Sequence, residues 1–197
     1  MNITNITLWS EAVAFPILSA LTLIPLATLV LVMLIPSPAV TLRLGFVGTI
    51  STFLLSIYLM YVFNPDQSGI QLYEHYQNLH LTYSVGVDGT NILFILLTTI
   101  LSLLALIYTL TTRRASDRTH IACLLGYEAI LIGAFTAMNA LQFWLWCFLE
   151  LIPVVIMTLR AGSGQNRRWV VALLLQHWGS GLLMVLAGFL MLGFGLM

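Results

Sequence analysis

The basic residues of this chain are confined to three short stretches separated by long apolar runs, and every one of them is an arginine. Arg43 stands alone, Arg113, Arg114 and Arg118 form a second group, and Arg160, Arg167 and Arg168 form a third. No lysine occurs. Every second connection between apolar runs lacks a basic residue. That is the pattern of a polytopic membrane protein whose arginine-bearing loops stay on the cytoplasmic side. Hydrophobic residues make up 60% of the chain and charged residues 7%. A soluble domain of this length needs far more charge at its surface, so lipid is the expected solvent for most of this one.

A helix crosses the hydrocarbon core with about 20 residues. By that measure the chain holds six spans, at about 12–35, 40–63, 90–112, 120–138, 141–160 and 169–193. Backbone groups facing lipid must be paired within their own segment, which makes these runs helices. The expected fold class is all-α: one polytopic transmembrane helical bundle over residues 1–197, with about six helices. The connections after the first, third and fifth spans hold all the arginines. Both termini, the 64–88 segment and the 139–140 turn then fall on the non-cytoplasmic side. The polar start of the chain lacks the basic residues of a signal peptide, so the first run is expected to remain in the mature protein. The 64–88 connection mixes polar and aromatic residues from Ile70 to Tyr76. It reads as an interfacial segment with an aromatic belt, or as a contact surface for a neighbouring subunit.

Net charge is zero, which gives no case for nucleic-acid binding. Cys123 and Cys147 fall inside predicted spans and read as small apolar residues. No nucleotide, flavin or iron–sulfur motif is visible, so no cofactor is expected and the chain is not expected to oxidise a nicotinamide nucleotide itself. Ionisable groups in mid-membrane are costly and suggest function. Two carboxyls qualify, Glu128 in the fourth span and Glu150 in the fifth. These spans are joined by a very short turn and are antiparallel neighbours, so the two groups reach similar depth. They face each other or line one polar path. A carboxyl isolated in hydrocarbon favours its neutral form, and a nearby cation favours ionisation. A proton carrier uses that bistability; the alternative is a neutral glutamate hydrogen-bonded to a neighbouring helix. His177, beside Gln176 in the sixth span, is a third candidate for a proton path, or else a structural hydrogen-bond donor. Asp88 is placed to cap the third helix. Gly179-Ser180-Gly181 suits close helix packing.

These residues carry a resemblance. Ser84-Val85-Gly86-Val87-Asp88-Gly89, followed by Ile92-Leu93-Phe94-Ile95-Leu96-Leu97-Thr98-Thr99, resembles the third-helix signature of the antiporter-like membrane subunits of proton-pumping NAD(P)H:quinone oxidoreductase, the complex I family. The subunit M type, also called chain 4 or D, is the most similar. Phe148-Leu149-Glu150-Leu151-Ile152-Pro153 matches the family's Phe-x-Glu-Leu-Ile-Pro element. Gly179-Ser180-Gly181-Leu182-Leu183-Met184 resembles its sixth helix, and the run from Pro16 to Pro36 its first.

The resemblance implies that Glu150 aligns with the family's proton-channel glutamate, which there pairs with a lysine on the next, broken helix. That helix lies beyond the last residue here, so the inverted repeats that build half-channels are expected to be incomplete. Ala172 stands about where family members carry a lysine at the start of the sixth helix, and Asn139 where an acidic residue follows the fourth. These departures fit either a piece of a split subunit or a truncated homologue that scaffolds a membrane complex without pumping. The expected partners are the lipid bilayer and other membrane subunits of an energy-converting membrane, whether bacterial inner, thylakoid or organellar inner. A pigment- or lipid-holding subunit of a photosynthetic assembly is a third reading.

Overall fold

The computed structural model describes residues 6–78, 81–111, 118–161 and 166–195. Arg113 and Arg114 lie outside them. The chain runs through β1 (Ile6–Leu8), α1 (Trp9–Ala12), α2 (Ile17–Leu34), α3 (Pro38–Val62), β2 (Ile70–Asn78), β3 (Leu81–Val87), α4 (Asn91–Thr111), α5 (Arg118–Thr136), α6 (Ala140–Leu149), α7 (Leu151–Ala161) and α8 (Arg167–Gly195). Among the described residues, six stretches are long and apolar enough to cross a membrane: α2, α3, α4, α5, α6 with α7 as one span over Ala140–Arg160, and α8.

Prolines and caps explain where the helices begin and end. Pro16 precedes α2, and Pro36 follows it. Pro38 occupies the first turn of α3, where its missing N–H costs nothing. That helix stops before Asn64-Pro65, because the residue ahead of a proline avoids helical geometry. Asp88 Oδ1 accepts from the backbone N–H of Thr90 at 2.9 Å and of Asn91 at 2.7 Å, capping α4. Asn139 does the same for α6 through Leu141 N–H at 2.9 Å.

The 64–88 connection is more ordered than an interfacial belt. β2 and β3 form an antiparallel hairpin, and β1 joins β2 in parallel. Gln71 pairs with Val87 and Glu74 with Val85, so three steps on β2 oppose two on β3. The bulge lies at Leu72, whose φ of 54° is unusual for a residue with a branched side chain. It lets Gln71, Leu72 and Glu74 all turn inward.

The hairpin seals the arginine-free end of the bundle. Leu72, Val85 and Val87 join Ile17, Leu18, Leu21, Ile95 and Ile132 in one buried cluster. Glu74 is fully buried and acts as a long-range cap for α2. It accepts from Leu18 N–H at 2.8 Å, from Ser19 N–H at 3.1 Å and from the Ser19 hydroxyl, which also meets Tyr83 Oη at 3.2 Å. Burial pushes the Glu74 carboxyl above its ordinary range, while the hydrogen bonds from Ser19 and Leu18 pull the other way. Met138 N–H donates to Ser84 carbonyl at 3.0 Å, and Gln142 Oε1 accepts from Ser84 N–H at 3.1 Å, which ties β3 to the α5–α6 turn.

A second buried cluster, Val32, Leu106, Ile121, Ala122 and Leu125, fills the arginine-bearing half. Small residues bring helices close. A Cβ at Gly48 of α3 would sit 2.6 Å from Thr28 of α2, and one at Gly133 of α5 would overlap the Trp146 ring of α6. Ser56 of α3 and Thr99 of α4 hydrogen-bond across the interior at 2.8 Å. The Gly179-Ser180-Gly181 sequence behaves differently from its expected packing role. A Cβ at either glycine would meet nothing within 4 Å, so among the described residues no helix packs closely against them.

Candidate functional site

The centre of the site is a break in a helix. Pro153 lacks an N–H and crowds the carbonyl of Leu149, four residues earlier. The fifth span therefore divides into α6 and α7, with Glu150 at the junction. Glu150 keeps helical angles, φ −58° and ψ −28°, and donates its own N–H to Trp146 carbonyl at 3.1 Å. Its carboxyl is half-buried and accepts from Tyr127 Oη of α5 at 2.5 Å. This short hydrogen bond fixes the position of the carboxyl against α5.

Glu128 is the next residue on α5 but serves another face, because consecutive helical residues point about 100° apart. It shares the inward stripe with Ile121, Leu125 and Ile132, at spacings of seven, three and four residues, and only 1% of it is exposed. Thr49 of α3 stands nearby without closing a hydrogen bond, and among the described residues neither carboxyl oxygen has a partner. Glu128 and Glu150 therefore meet through the Tyr127 backbone step rather than face to face.

His177 lies away from both. It is exposed on α8, with its ring Nδ1 2.9 Å from the carbonyl of Leu173 in its own helix. Gln176 and Ser180 are exposed with it, and Ser180 donates to the His177 carbonyl at 2.9 Å. Trp144 Nε1 donates to Leu182 carbonyl at 2.8 Å, joining α8 to α6.

Tyr127 escaped the sequence reading although a signal for it existed. It lies twelve residues before Asn139, and Glu150 lies eleven after. Across a tight antiparallel turn these positions share a depth, which marks the tyrosine as a possible partner for the carboxyl. Glu74 was not nominated either. Nothing local in Tyr73-Glu74-His75 indicates a carboxyl that caps a helix 55 residues earlier.

The chain was compared with known proteins, and no family model matches it. It is 31% identical over 162 residues to NADH-quinone oxidoreductase subunit M of Rickettsia conorii, covering 77% of this chain and 33% of that protein. It is 32% identical over 156 residues to NADH-ubiquinone oxidoreductase chain 4 of Chondrus crispus, covering 77% of this chain and 31% of that one. The F(420)H(2) dehydrogenase subunit M of Methanosarcina mazei is 28% identical over 155 residues. Among solved structures, a chain of respiratory complex I from Thermus thermophilus with bound NADH superposes with a TM-score of 0.64 at 25% identity, covering 80% of this chain and 31% of that one. The chain spans about one third of the length of the relatives it matches. The residues that carry the earlier resemblance and these matches agree: over about 77% of its length the chain is similar to the antiporter-like membrane subunits of the subunit M and chain 4 type.

Proposed function

We propose that this chain is a membrane-arm subunit of a complex I-like NAD(P)H:quinone oxidoreductase and contributes Glu150 to a proton path. The observation that carries the reading is the Tyr127–Glu150 hydrogen bond at the break between α6 and α7. Pro153 leaves the Leu149 carbonyl without its helical donor at membrane depth, and such a group is tolerated where it lines a polar path or a protein interior. Glu150 holds or releases the proton, and Tyr127 positions its carboxyl. Glu128, on another face of α5 toward α3, is a second exchangeable group with no hydrogen-bonded link to Glu150 among the described residues. His177 faces outward on α8, so any part it plays requires a second chain. No lysine occurs in the sequence, so the counter-charge proposed to drive Glu150 between its two states comes from an arginine or from outside these residues.

The arginine-bearing connections lie on the cytoplasmic side in this reading, and the hairpin and both termini lie opposite, in an energy-converting membrane. Labelling of cysteines introduced at positions 5 and 115 tests the orientation, and reaction of both from the same side contradicts it.

The Glu150 role is tested by comparing Glu150→Gln with Glu150→Ala in the assembled complex. Gln keeps size and most hydrogen bonding but cannot exchange a proton. The expected result is loss of coupled proton transport in Glu150→Gln with assembly intact. A scaffold would give the opposite pattern: transport unchanged by Gln, and assembly harmed by Ala.

A further inference from the structure

An apolar cavity of about 270 Å³ lies between α2, α5 and the α6–α7 span, outside the Tyr127–Glu150 contact. Its lining runs on α5 from Thr119 to Ile130, or about 16 Å of helix. It is walled by Met33 of α2, Ala122 and Gly126 of α5, and Trp146 and Ile156 of the broken span. The lining is apolar over that length and suits a hydrocarbon chain.

Its arginine-bearing end carries charge. Arg118 lies four residues before Ala122, and Arg160 four residues after Ile156. Residues four apart share a helix face, so each arginine stands one turn above a lining residue at the same mouth. Both are exposed. A guanidinium presents forked donors that match phosphate oxygens.

We propose that this groove is a binding site for an anionic phospholipid, with one acyl chain between α2, α5 and the α6–α7 span and the phosphate held by Arg118 and Arg160. The inference rests on the membrane placement of the chain and not on any proton role of Glu150. A bound lipid there would hold the sparsely packed broken span against the bundle core.

The test uses the full chain in its membrane assembly, reconstituted into phosphatidylcholine vesicles. A trace of phosphatidylglycerol or phosphatidylcholine carrying a photoactivatable diazirine in mid-acyl chain is added, and adducts are located by mass spectrometry. Adducts at Trp146 and Gly126 are expected to favour the phosphatidylglycerol probe, with roughly a five-fold preference for each arginine engaged. Met191, 77% exposed on α8, is expected to react equally with both probes. Arg118→Gln with Arg160→Gln is expected to bring the groove signal for the two probes together. Cys123→Phe, which fills the groove, is expected to remove that signal and leave the one at Met191. Equal groove labelling by both probes in the unmodified chain, no groove labelling by either, or a preference surviving the double arginine variant would each overturn the proposal.

Discussion

The α2–α5 part of the molecule and the α6–α8 part obey different rules. Within its own chain α5 is 61% buried along its span, while the α6–α7 span is 11% buried and α8 only 6%. The first part closes on itself. It has two apolar clusters, a cross-helix hydroxyl pair and a hairpin whose buried carboxylate caps α2. The second part hangs on that bundle by a few contacts, among them Gly133 against Trp146 and Tyr127 on Glu150. Lipid tails accept the apolar side chains of α8 readily. They do not accept Gln176, His177 and Ser180, which stand together on its open side. One region is finished as a fold, and in the proposed function the other would be finished by an assembly. Glu150 belongs to the second and Tyr127 to the first, so their hydrogen bond crosses the seam.

The comparison breaks most visibly if the closed region can be opened. Glu74→Ala removes the acceptor for three donors and leaves the start of α2 uncapped in a buried site. A loss of about 3 kcal/mol or more is expected, because hydrogen bonds to charged groups are worth about 1.5–3 kcal/mol each. Hydrogen exchange at Leu18 and in β2 reads it, and unchanged protection there would show that the hairpin docks without its carboxylate. A smaller cost, about 1–3 kcal/mol, is expected for Gly133→Val, whose side chain displaces Trp146 and separates the two regions. Thermal unfolding measures it, and a neutral result would mean that the seam is loose.

The same carboxylate gives the closed region a pH dependence. Burial raises the Glu74 pKa above 4.5, so the folded form holds its proton to higher pH than the unfolded form does. Stability therefore falls as pH rises from the ordinary carboxylate range through the raised value. Hairpin protection from exchange is expected to be greater just above pH 4.5 than at neutral pH, and Glu74→Gln to flatten that slope. The opposite slope would mean that the hydrogen bonds from Ser19 and Leu18 outweigh desolvation.

At the seam, Tyr127→Phe deletes one hydrogen bond and is expected to cost about 1–2 kcal/mol in stability. The smallest effect belongs to the open side. His177→Ala is expected to change the stability of the chain alone by less than about 0.5 kcal/mol, as surface changes do. Its cost is expected to be larger in the assembled complex. Equal, small effects in both settings would remove the argument that α8 is covered by a partner.

How much of this was legible in the sequence follows the same division. The six spans were readable because lipid imposes length and composition on each independently of the others, and the arginines record their alternation. The depth of Glu128 and Glu150 followed from counting residues away from the turn. Their direction did not, because a helix with apolar residues on all sides carries no periodicity to say which face meets which neighbour. The hairpin was hidden by its bulge. At Leu72 the inward-facing positions shift, so Gln71, Leu72 and Glu74 are all buried and the period-two alternation of a strand is lost. His177 was nominated because it is ionisable and deep, and depth cannot tell an inward side chain from an outward one.

The account turns on whether Glu150 changes its protonation state during turnover. Infrared difference spectroscopy of the assembled, working complex reads this through the carboxylic C=O stretch. A band that appears on turnover, disappears in Glu150→Gln and shifts in Tyr127→Phe is the predicted result. Identical difference spectra for the unmodified and Glu150→Gln complexes would mean that Glu150 keeps one state throughout, and the proton-path assignment would fall.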